Sequence, residues 1–61
     1  MNERDTWTLE AMEVYGGSFV RQLAVLAWHA DANNMARIKA TWSEYWTEYE
    51  LMGIELEKKQ S

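Results

Sequence analysis

The sequence predicts an all-α protein, three or four short helices packed around a central apolar helix at about 18–30. Three observations carry this expectation. Apolar residues recur at three- and four-residue steps along most of the chain, the spacing that gathers them on one side of a helix. Residues that start or stop helices fall between these runs: Asp5 or Thr6, the pair Gly16-Gly17, Asp31, and Thr41 to Ser43. No proline interrupts any of the runs.

The stretch from Ser18 to Ala30 is the most apolar. Phe19, Val20, Leu23, Leu26, Ala27 and Ala30 share a face, Val25 and Trp28 lie on roughly the opposite side, and only Arg21, Gln22 and His29 are polar. A helix apolar nearly all round is normally covered on more than one side, so this one is expected at the centre. Ahead of it, Trp7, Ala11, Val14 and Tyr15 predict the buried stripe of a first helix, capped by Asp5 or Thr6 and closed by Gly16 in a left-handed conformation. Ser18 is the expected cap of the second helix. Asp31 is the expected cap of a third, over 32–41, with Met35 and Ile38 inward and Arg37 and Lys39 outward. Thr41 and Glu44 have the spacing of a capping box, and Ser43 competes as the cap. The fourth helix follows, with Trp42, Tyr45, Tyr49, Met52 and Leu56 repeating at three and four and Trp46 beside them. Gly53 could close that helix or be carried through it at a cost of about 1 kcal/mol, and continuation with a fraying end is favoured. The whole is read as one domain, 1–61, with frayed ends at about 1–4 and 57–61.

Composition narrows the function classes. With 61 residues and no cysteine, the chain has no disulfide or thiolate metal site to brace it. Its four Trp, three Tyr and one Phe are the available bulk. A formal charge of −4 disfavours general binding to nucleic acid phosphates and suits a partner with a basic surface. No apolar run approaches the roughly 20 residues that span a membrane, and the opening Met-Asn-Glu-Arg-Asp lacks the pattern of a signal peptide, so a cytoplasmic location is expected.

Four constellations bear on chemistry. Gly16-Gly17-Ser18 ahead of a helix could cradle a phosphate, but a P-loop's strand and its Lys-Ser/Thr are missing, so a structural hinge is the better reading. His29 is the only histidine, without a second ligand or a nucleophile beside it. Glu44 and Glu48 share a helix face, and reading them as an acidic binding face is preferred to acid/base catalysis. The second and third helices could form a helix-turn-helix, with Asn34, Arg37 and Thr41 reaching base edges, though the net acidity weighs against it.

The segment Tyr15-Gly16-Gly17-Ser18-Phe19-Val20, followed by Ala30-Asp31, Asn34, Arg37-Ile38-Lys39 and Glu44-Tyr45-Trp46, resembles a group of small, mostly uncharacterised helical proteins of phages and prophages. The resemblance spans about 15–49. The group often has Pro where this chain has Ser43, which would also mark a helix start there. It implies a phage setting, in which small acidic helical proteins often act by occupying a host protein, and it brings no established activity or site residues.

Together these readings lead to a non-enzymatic, phage-type accessory protein acting by protein–protein binding in the host cytoplasm. It would inhibit or modulate a host protein, or associate with itself as a homodimer. No cofactor, metal or catalytic residue is expected. The expected partner-binding residues are Val25 and Trp28 on the second face of the second helix, and the acidic Glu44 and Glu48. A small helix-turn-helix DNA-binding regulator is the alternative.

Overall fold

The computed structural model describes residues 2–60. Four helices follow one another among them: α1 (Glu3–Tyr15), α2 (Ser18–Trp28), α3 (Ala32–Thr41) and α4 (Ser43–Gln60). The all-α expectation is met, and no strand occurs among the described residues. The chain ends read as frayed are helical from Glu3 and through Gln60, while residues 1 and 61 lie outside the described residues.

The centre of the bundle is α1 rather than α2. Thr8, Leu9 and Met12, all on α1, are the largest fully buried side chains. This helix packs most extensively on α4 and next on α2. Its buried face runs through Asp5, Thr8, Leu9, Ala11 and Met12, whereas Val14 and Tyr15, assigned to the buried stripe from the sequence, are exposed. Two polar side chains account for the difference. Thr8 can be buried because its hydroxyl donates to the Arg4 carbonyl at 2.9 Å. The Asp5 carboxylate, only 8% exposed, accepts from Lys39 Nζ at 2.8 Å. Lys39 thus turns inward from α3 instead of facing solvent, and its ammonium also lies 5.2 Å from the centroid of the Trp46 ring.

The helix ends explain the element bounds. Asn2, not Asp5 or Thr6, caps α1: its Oδ1 accepts from the Asp5 backbone N–H at 2.8 Å, and the Thr6 hydroxyl donates to the Asn2 carbonyl. Gly16 ends α1 with φ −77° and ψ 154°, an extended conformation and not the left-handed one. Glycine is required there by proximity. A Cβ on Gly16 would run into the Met12 carbonyl oxygen and lie 2.6 Å from Val20 Cγ1. Gly17 precedes α2 with no side-chain cap, so Ser18 is the first helical residue rather than the cap. Asp31 does cap α3, accepting from the Asn34 N–H at 2.8 Å, and Met35 and Ile38 are buried. Thr41 belongs to α3, and the junction residue is Trp42, whose carbonyl takes the first α4 hydrogen bond from Trp46 at 2.9 Å.

The Gly16-Gly17 corner turns the chain from α1 into α2, which packs on α1, and Ala30 and Asp31 beyond its end line a cleft with Asn2 and Asp5. The chain crosses by α3 and then climbs along α1 as α4. Gly53 lies against Trp7 and Thr8, and Leu56 and Gln60 share a cleft with Glu10 and Val14. The helix continues through Gly53, as the sequence favoured, because the glycine sits in the contact. A Cβ would lie 2.8 Å from both the Trp7 carbonyl carbon and oxygen. Trp46, Tyr49 and Gly53 form the buried seam of α4, with Met52 packed at its edge. Beyond them Glu55 pairs with Lys58 at 3.8 Å.

Candidate functional site

On α2, Val20, Leu23, Ala24 and Ala27 are buried, and their positions define a face about one third of the helix wide. The flanks on either side remain open. Phe19 and Leu26, expected in the core from their spacing, are each 56% exposed. They are seven residues apart, so they stand on one stripe separated by about 10 Å along the axis. The Phe19 ring meets Trp42 edge-on with centroids 6.3 Å apart and lies 5.9 Å from Tyr45. Leu26 lines a groove with His29, Arg37, Ile38, Thr41 and Trp42. Trp42 is common to both, so Phe19, Tyr45, Trp42 and Leu26 make one continuous apolar surface across α2 and the start of α4, with the buried Ile38 of α3 at the floor of its groove.

Val25 is 44% exposed and Trp28 39% exposed. Trp28 is nine residues from Phe19, two and a half turns, and so faces away from that surface. Its indole N–H donates to Glu13 Oε2 at 3.3 Å, which leans the ring toward α1. Glu44 and Glu48 are exposed, one turn apart on α4. Glu44 shares a depression with Trp42 and Tyr45 and therefore adjoins the Phe19–Leu26 surface. The four residues singled out from the sequence thus divide between two sides of the molecule. The surface that joins α2 to the start of α4 was missed because its anchors, Phe19 and Leu26, had the same periodicity as the true core. What separates them is their place at the edge of the apolar arc, roughly 100° from its centre.

Of the remaining chemical candidates, His29, Asn34, Arg37 and Thr41 come together on one groove. His29 is exposed at the rim of the groove, and Asp31, two residues on, is engaged as the α3 cap. Asn34, Arg37 and Thr41 line that same groove from α3. No group of three His, Asp or Glu side chains that could hold a metal occurs among the described residues. No helix among them is long and apolar enough to cross a membrane. The chain matches no protein-family model, no curated protein and no solved structure.

Proposed function

We propose that this chain is a small acidic accessory protein of the phage type that acts by binding another protein chain. The observation that carries this reading is the continuous apolar surface of Phe19, Leu26, Trp42 and Tyr45, with Phe19 and Leu26 more than half exposed in a chain of 61 residues. Aromatic side chains held in place by their neighbours within such a patch are the groups that dominate interface energies. Phe19 is held in this way by Trp42 and Tyr45. Glu44 and Glu48 add an acidic edge suited to a basic partner, and Val25 with Trp28 supplies a second, smaller exposed site. The phage setting rests on the resemblance at 15–49, and the activity expected in that setting is occupation of a host protein.

The test is affinity capture from a phage host lysate with mass spectrometry, using the wild-type chain beside Leu26→Asp and Trp28→Ala. A host protein retained by the wild type and lost with either variant supports the reading. Turnover of a substrate that Glu44→Gln with His29→Ala abolished in a folded protein would overturn it. One observation favours the DNA-binding alternative: Asn34, Arg37 and Thr41 line a single groove on α3. A salt-sensitive complex with duplex DNA, lost on Arg37→Ala, would put that reading first.

A further inference from the structure

We infer that the occupant of the Phe19–Leu26 surface is a second copy of this chain, docked about a two-fold axis. The inference rests on the protein-binding reading above and names the partner for one of its surfaces.

The argument begins with charge. The surface carries both signs, at opposite ends. Arg37 lines the groove at the Leu26 end, with His29 beside it. Glu44 adjoins Tyr45 at the Phe19 end, and Glu48 follows one turn along α4. Arg37 and Glu44 take part in neither of the ion pairs seen among the described residues, Lys39–Asp5 and Lys58–Glu55. A two-fold axis through the middle of the surface reverses its direction, so residue i of one copy meets residue j of the other and the converse. Arg37 of each copy then faces Glu44 of the other, and the apolar centres, Phe19, Leu26 and Trp42, meet between them. A uniformly basic partner would satisfy only the Glu44 end and would leave Arg37 against like charge.

The chain offers enough exposed area for such an interface. A standard interface takes about 800 Å² from each partner, about a fifth of the 4183 Å² that this chain exposes. Burial of the exposed parts of Phe19 and Leu26 supplies the apolar core that the centre of an interface needs.

The experiment is sedimentation equilibrium of the full chain from micromolar to sub-millimolar concentration. The wild type should sediment as a dimer in equilibrium with monomer. Leu26→Asp should be monomeric with unchanged far-ultraviolet circular dichroism, because Leu26 is already half in water. Arg37→Glu should weaken the dimer at least tenfold, and Arg37→Glu combined with Glu44→Arg should restore it, since the swapped pair regains opposite signs. A wild type that stays monomeric throughout overturns the inference, as does a dimer indifferent to Leu26→Asp or a double swap that fails to restore association. A monomer that captures a host protein through Leu26 overturns the dimer and leaves the protein-binding reading standing. A monomer whose capture of host protein is lost with neither Leu26→Asp nor Trp28→Ala overturns both.

Discussion

Gly16 and Gly17 are neighbours in sequence with unlike surroundings. Neither needs a left-handed backbone. A Cβ at Gly16 collides with the Met12 carbonyl and with Val20, whereas one at Gly17 meets nothing within 4 Å. Gly16→Ala should therefore destabilise the fold by roughly 1–3 kcal/mol, the usual cost of overpacking a tight contact. Gly17→Ala should be neutral or stabilise by about 0.4–1 kcal/mol, through the lower entropy of the unfolded chain. Urea denaturation of the two variants checks the contrast, and equal effects would contradict the proximity argument. The Asp5–Lys39 pair makes a second demand at this scale. With its carboxylate 8% exposed, Asp5 is costly to leave without its cation. Lys39→Met should cost about 1.5–3 kcal/mol, the range for a hydrogen bond to a charged group. Asp5→Asn in that background should cost much less than Asp5→Asn alone. A double-mutant cycle by chemical denaturation reads the coupling, expected at about 1 kcal/mol or more.

At the scale of elements, the crossing of α4 over α1 depends on one residue. Helix propensity alone would make Gly53→Ala stabilising by about 1 kcal/mol. The Cβ would however press on the Trp7 carbonyl group at 2.8 Å, and backbone cannot rotate aside as a side chain can. The steric cost should win, leaving a net loss of about 1–2 kcal/mol and lowering the thermal midpoint by roughly 5–15 °C. A midpoint that rose instead would mean that α1 and α4 do not approach so closely. This crossing also marks how much of the fold could be read in advance. The four helices, the Asp31 cap and the continuation through Gly53 follow from local signals, and α3 was bounded to the residue at 32–41. The phase of α1 did not follow, because its inward face contains Asp5 and Thr8. An aspartate and a threonine read as solvent-facing until Lys39, thirty-four residues on, and the Arg4 carbonyl are seen to satisfy them. The open flank of α2 was illegible for the opposite reason. Phe19 and Leu26 have core-like residue types and core-like spacing, and only the number of neighbouring helices decides which apolar residues are covered. The acidic edge at Glu44 and Glu48 was legible as a face, but its adjacency to Phe19 is a tertiary fact.

For the whole molecule the controlling quantity is size. A chain of 61 residues buries only roughly 60% of its unfolded surface and has a net stability of a few kcal/mol, without disulfides to add to it. The association inferred above would add to it, because binding to the folded state alone raises stability by mass action. At a concentration about a hundredfold above the dissociation constant the gain is roughly 2.7 kcal/mol. For a domain of this length each kcal/mol moves the thermal midpoint by about 4–8 °C. Dimerisation through the Phe19–Leu26 surface therefore requires a midpoint that rises with protein concentration, by roughly 10 °C or more between dilute and concentrated samples. Leu26→Asp should remove the dependence and hold the midpoint at the dilute wild-type value, because the substitution changes the contact between copies and not the core of each. Calorimetry or circular dichroism melts across that concentration range make the measurement. A midpoint independent of concentration in the wild type would mean that α1, with Thr8, Leu9 and Met12 enclosed by α2 and α4, supplies the stability of the fold without help from a second copy.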